Sequence, residues 1–132
     1  MSAAMIVSSL LSKPSIMSLV GRRKALSQLP QNSQYPAIVY SIIDVIPRPN
    51  LAFQFGLQRS QARVQLNPVA ASISTIQAIH SAIKAEFDFL HHVTVSGKLI
   101  ISCRLVLRGP VEKDNDTGLW TQPYDYLIHF AE

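Results

Sequence analysis

Polar and apolar residues alternate without a break from Gln58 to Asn67. Arg59, Gln61, Arg63, Gln65 and Asn67 fall on one side, and Ala62, Val64 and Leu66 on the other. A period of two is the signature of a strand that buries one face and wets the other. Pro68 is expected to end it. Upstream, Ala37–Ile46 is rich in Val, Ile and Tyr and apolar on both sides, apart from Ser41 and Asp44. That pattern predicts a central strand covered on two faces, entered after Pro36 and closed by Pro47 and Pro49.

Elsewhere the period changes to that of a helix. In Ser2–Ser12, Ile6, Val7, Leu10 and Leu11 share one helical face, with Ala3 and Met5 nearby. Pro14 suits the first turn of a second, short helix, where its missing N–H costs nothing. Ile16, Met17, Leu19 and Val20 would be buried there, and Gly21 stops it. The polar stretch Arg22–Gln34 reads as a short strand and a loop. The longest helix is predicted over Ser72–Leu90, with Ile73, Ile76, Ile83, Phe87 and Leu90 along its apolar stripe. Ser74 and Gln77 have capping-box spacing, and Ser72 is a rival cap.

Two further strands follow. In Lys98–Arg108, alternation places Leu99, Ile101, Cys103, Leu105 and Leu107 on one side, and Lys98, Ser102, Arg104 and Arg108 on the other. Leu119–Ala131 sets Tyr124, Tyr126, Ile128 and Phe130 on one face. With the turn-rich Gly109–Gly118 between them, these make a long antiparallel hairpin. The order α, short β, β, β, α, β, β predicts an α+β fold. A mixed, mostly antiparallel sheet is packed by one long helix and the N-terminal helices. The 132 residues are expected to form a single domain.

Composition changes this picture in one respect. Hydrophobic residues make up 48% of the chain and charged residues only 15%, against about 25% charged in an average domain. Part of the apolar surface is therefore expected to be covered by partners. The segment Pro47–Leu57 reads as a loop and stands out, because Leu51, Phe53 and Phe55 alternate there with Ala52 and Gln54. Leu51, Phe53, Phe55 and Leu57 either fold back on the core or meet another subunit. Arg59 and Arg63, on the polar strand face, are candidates for gripping a neighbour's carboxylate; a solvated face is the alternative.

The charge balance, 12 basic against 8 acidic residues, is spread along the chain. Nucleic-acid readers concentrate basic residues in a stripe, so direct reading of DNA is not expected. The single cysteine, Cys103, allows no internal disulfide and fits a reducing cytosol. No apolar run approaches the ~20 residues of a membrane helix. The apolar stretch Ala3–Leu11 has no Lys or Arg before it, unlike a secretory signal, and reads as a folded helix.

Candidate chemistry is sparse. His91 and His92 are adjacent, and His80 lies further upstream. Metal ligands on a helix want an i, i+4 spacing, and a polar helix end explains His91 and His92 better. Cys103 on an apolar strand face reads as a buried, inert thiol. Glu112, Asp114 and Asp116 sit in a hairpin tip and lack the remaining oxygen ligands of a calcium loop. No Gly-rich phosphate loop occurs among the 5 glycines. Neither an enzyme nor a cofactor or metal site is expected.

Several pieces in order carry a resemblance. An N-terminal helix leads into Gly21-Arg22-Arg23. Tyr35-Pro36-Ala37-Ile38-Val39-Tyr40 looks like a Pro-led first strand. Arg63-Val64-Gln65-Leu66 precedes a Ser/Ala-rich helix start, and Gly118-Leu119-Trp120 and Tyr124-Asp125-Tyr126-Leu127-Ile128 close the chain. Over nearly its full length the sequence resembles the tail-terminator and tail-completion proteins of long-tailed bacteriophages, the siphophage tail-to-head joining type. The segment Pro47–Leu57 departs from that pattern in length and hydrophobicity. The resemblance implies a homo-hexameric ring, made in the bacterial host cytoplasm and placed in the virion neck. The ring would stop tail-tube polymerisation and dock the head connector, and its partners would be the tail tube protein and the neck proteins. DNA would pass through the lumen without being read, and no membrane is involved. Another phage neck protein, of the head-completion or connector kind, and a small nucleic-acid-binding α+β module remain as alternatives.

Overall fold

The computed structural model describes residues 2–28, 34–47, 59–88 and 90–131. Strand β3 (Arg59–Ala70) lies at its centre and alternates buried and half-buried positions along nearly its whole length. It pairs antiparallel with β2 (Ala37–Pro47) on one side and with β8 (Tyr124–Ala131) on the other. A short β1 (Lys24–Leu26) adds to β2 in parallel. β5 (Lys98–Arg108) pairs with β8, and β4 (His91–Val95) forms the far edge, giving the order β1-β2-β3-β8-β5-β4. Two small strands, β6 (Glu112–Lys113) and β7 (Trp120–Thr121), form a ladder toward the hairpin tip, and β7 also reaches β3. The fold is α+β with a mostly antiparallel sheet, as the pattern predicts.

Three helices pack on one face of this sheet: α1 (Ser2–Leu11), α2 (Pro14–Val20) and α3 (Ile73–Phe87). Ile6, Val7, Leu10 and Leu11 of α1, Ile16 and Val20 of α2, and Ile76, Ile79, Ile83 and Phe87 of α3 are buried. They meet Val64, Leu66, Tyr126, Ile128 and Phe130 from the sheet in one core. Burying such side chains is worth roughly 1.5–3 kcal/mol each, which makes this helical layer the main source of stability. No single helix among the described residues is long and apolar enough to cross a membrane. α1 and α2 are bent by 76° at their junction.

α3 begins at Ser72, whose side chain accepts a hydrogen bond from the Thr75 N–H. Ser72, not Ser74, is therefore the N-cap. The helix ends at Phe87 rather than Leu90, and Ile73 is exposed, outside the buried stripe. The next residues turn back as a strand. His91 and His92 thus lie on edge strand β4 and not on a helix end. The β4–β5 hairpin closes through Ser96 (φ 54°) and Gly97 (φ 78°), flanked by the Val95–Lys98 pair. Two successive left-handed residues make the tight turn that matches strand twist. A Ser-Gly pair thus ends β4 and starts β5.

Three other expectations change. First, β3 runs through Pro68. Ile38, opposite Pro68, donates its N–H to the Arg23 carbonyl on the β1 side (2.9 Å). The Ile38–Pro68 pair is thus a non-hydrogen-bonded one, and the Pro68 nitrogen points away from β2. It faces the place where β3 passes from β8 to β7, so no ladder bond is lost. Second, β2 is not covered on both faces. The described helices lie on one side only, a bulge falls between Ile42 and Asp44, and Ile43 within it (50% exposed) and Val45 and Ile46 beyond it are open. Third, β5 carries two register shifts, between Ile100 and Ser102 and between Leu105 and Leu107. Each extra residue reverses the side-chain phase. Ile100, Cys103 and Leu105 face the core, as do their partners Phe130, Ile128 and Tyr126. Leu107, opposite Asp125, falls on the other face and is 48% exposed.

Candidate functional site

Packing the three helices on one side leaves the opposite face of the sheet without a helix among the described residues. The register sets its side chains in rows. Ile46, Gln61, His129 and Ser102 form one row, Asp44, Arg63, Leu127 and Arg104 the next, and Ser41, Gln65, Asp125 and Leu107 the third. Polar groups dominate, and several are already engaged. The Nε and Nη2 of Arg63 both lie 2.9 Å from Asp125 Oδ2. Gln65 Nε2 donates to Asp125 Oδ1 at 3.1 Å. His129 Nε2 and Gln61 Oε1 share a hydrogen bond of 2.8 Å.

Asp125 is only 4% exposed although no helix among the described residues covers it. Arg63 and Gln65 satisfy both of its oxygens and wall it from water, as a nearly buried carboxylate requires. Of the two arginines singled out in the sequence, Arg63 is thus committed within its own chain, and Arg59 is exposed at the start of β3. Leu51, Phe53, Phe55 and Leu57 lie outside the described residues. The sequence pattern could not show the Arg63–Asp125 pair, because it depends on the register between two strands that lie far apart in sequence.

A second candidate lies on the helical side, where α3 passes the base of the β5–β8 hairpin. A cleft of 460 Å³ opens there, lined by Gln77, His80, Ser81 and Lys84 from α3 and by Arg108, Val111, Gln122 and Tyr124 from the hairpin. The second bulge of β5 creates it. Without that bulge Arg108 would share the phase of the open face; with it, Arg108 pairs with Tyr124 and turns toward α3. Alternation alone assigned Arg108 to the wrong side.

The cleft has a rigid wall. His80 stacks on Tyr124, and the Tyr124 hydroxyl donates to Gln122 Oε1 at 2.6 Å. Gln122 Nε2 in turn donates to the Gly109 carbonyl at 2.9 Å. His80 is 7% exposed, and its Nε2 is buried with no hydrogen-bond partner among the described residues. Burial first, then the positive charges of Arg108 and Lys84, push its pKa down to about 4. The imidazole is neutral at pH 7, and the two cations bearing on it have no ion-pair partner among the described residues.

The remaining candidates are quiet. Cys103 is buried against the core, and burial, with a smaller contribution from Asp88, pushes its thiol up to about 12. A thiol so placed is a poor nucleophile. His91 and His92 meet each other edge-on, with ring centroids 4.2 Å apart. Among the described residues no three His, Cys, Asp or Glu side chains gather as a metal-binding group.

No family model matches the chain, and no curated protein matches it. Among solved structures it is similar to a chain from the virion of a native gene transfer agent (GTA) particle, with a TM-score of 0.69. That likeness covers 98% of this chain and 93% of the other at 10% sequence identity. The two share a fold from end to end.

Proposed function

We propose that this protein is a structural component of a phage-type virion. It acts as a non-enzymatic tail terminator that forms a ring at the head-proximal end of the tail. The observation that carries the reading is the end-to-end fold likeness to a chain of a gene transfer agent virion. It agrees with the order of motifs that resembles the tail-terminator proteins. The chain offers surfaces for assembly: a sheet face with no helix on it, an exposed edge strand β4, and exposed apolar residues at the far end of β2.

A ring is one heterologous contact repeated until the rotation closes. Six subunits, as in the resembling family, would close it. Leu51, Phe53, Phe55 and Leu57 then act as apolar anchors between subunits, and Arg59 supplies a rim charge. One ring face matches the end of the tail tube and the other the head connector, so tube growth stops when the ring docks. DNA passes through the lumen without being read.

The test is capping. Purified protein added to polymerising tail tube should fix tube length, and micrographs should show a ring at one end only. Co-sedimentation with filled heads but not with tails would instead favour a head-completion protein. Free growth of the tube in excess protein would refute the terminator reading.

A further inference from the structure

The cleft between α3 and the hairpin base is lined by two full cations, Lys84 and Arg108, and by no carboxylate. Its amide Gln122 is occupied by Gly109 and Tyr124. Two unpaired cations in a concave polar site attract an anion, and Arg favours a planar carboxylate. After burial, the positive charges of Arg108 and Lys84 press the His80 pKa down as well, which places both cations at this cleft.

The same chain carries a matching group. Glu112, Asp114 and Asp116 are all exposed at the hairpin tip. Asp114 Oδ1 accepts from the Asp116 N–H at 2.9 Å, which holds the tip in a fixed turn. The neighbouring Lys113 is drawn over the Trp120 ring at 5.5 Å, and no ion pair neutralises the three acids among the described residues. The tip does not line its own cleft. β7 holds its base to Val69 and Ala70 of β3.

We propose that the acidic hairpin tip of one copy docks in the Lys84–Arg108 cleft of the next. Asp114 and Asp116 meet the two cations, and the His80–Tyr124 stack forms the rigid wall behind them. Cleft and tip are different surfaces of one chain, so the contact is head-to-tail and leaves a free tip and a free cleft on every pair. That is the kind of contact a ring requires. The proposal rests on the self-assembly assumed above and names the residues that drive it.

Charge exchange in the full-length chain tests it, with association followed by mass photometry and sedimentation velocity. Lys84→Glu with Arg108→Glu should weaken self-association by roughly a hundredfold. Asp114→Lys with Asp116→Lys should do the same. Mixing the two variants should restore pairs, because one supplies an intact tip and the other an intact cleft. Circular dichroism checks that both variants fold; Lys84→Gln with Arg108→Gln serves if the reversed charges do not. Variants that assemble like the parent, or a mixture no better than its components, would overturn the contact and leave the ring reading standing. A parent chain that stays monomeric at every concentration would overturn it too. Tube capping is scored separately and decides the terminator reading by itself.

Discussion

The rings of His80 and Tyr124 stack with centroids 3.6 Å apart and planes 3° from parallel. This contact joins α3 to β8, and it constrains the charge of His80. An imidazole pressed on a phenol ring, nearly buried and facing Arg108 and Lys84, is held neutral.

A pH dependence of stability follows. The native pKa of His80 is pushed from the ordinary 6.5 down to about 4. Between those values the unfolded chain binds a proton that the native chain does not, so stability rises with pH. It is fully present above about 6.5, falls as pH drops toward 4, and His80 contributes no further loss below that. The size of the loss is on the order of 2–3 kcal/mol. His80→Phe keeps a ring against Tyr124 and removes the titration. Urea denaturation at pH 7 and pH 4.5 should show a smaller pH-dependent loss in His80→Phe than in the parent; equal losses would rule out His80 as the source.

Gly109 gives a sharper mutational prediction. Its N–H donates to the Pro123 carbonyl at 2.8 Å, and a Cβ built on it would lie 2.5 Å from Pro123 Cγ. The ring of Pro123 cannot swing away as a flexible side-chain end would, so the strands must part. Gly109→Ala should cost about 1–3 kcal/mol, the usual range for overpacking. Because Gly109 also accepts from Gln122, the substitution should loosen the Tyr124–His80 wall of the cleft. Thermal melts measure the first effect, and the shift of the His80 ring protons in NMR measures the second.

These two sites mark what sequence reasoning could and could not reach. Strand β3 and the inward residues of β8 were legible, because a strict period of two survives wherever the strand is regular. The α1, α2 and α3 stripes were legible for the same reason at a longer period. β5 was misread because two bulges shift its phase, and a bulge leaves no mark in a run such as Ile100–Leu107, where Ile100 and Val106 make the otherwise polar side partly apolar. β4 was hidden by its polar, exposed content, although Ser96-Gly97 is a turn signal. The cleft depended on the second bulge, so it fell with that error. Arg63 was read as a grip for a neighbour's carboxylate; the carboxylate it holds is Asp125 of its own chain, which only tertiary register brings to it.

The Arg63–Asp125 pair can be weighed by removing one side or both. Arg63 is partly exposed (38% of its side chain), so solvent screens the attraction and the pair is worth less than a fully buried one. Asp125 has no such relief, with 6% of its side chain exposed. Arg63→Met should therefore cost about 1–3 kcal/mol, because a nearly buried carboxylate is left with Gln65 alone. Arg63→Met combined with Asp125→Leu should recover part of that loss, since a buried pair is often replaceable by apolar groups. Chemical denaturation of the four chains in a double-mutant cycle gives the coupling. A double variant less stable than Arg63→Met would mean that the carboxylate matters for reasons other than its pairing with arginine.

Cys103 tests the core from a different direction. It sits opposite Ile128, on the face where β5 meets the helices, and burial drives its thiol far above neutral. Both access and thiolate fraction control thiol reactivity, and both are low here. A thiol-specific chromogenic reagent at pH 8 should react with the native protein only as fast as the chain opens, and at once in denaturant. Cys103→Ser buries a more polar hydroxyl in place of the thiol and should cost about 1–3 kcal/mol. Cys103→Ala should cost less, because it removes volume without burying a donor. If the native thiol reacted within the mixing time, the phase of β5 after its first bulge would have to be reassigned. The placement of Arg108 in the cleft would fall with it.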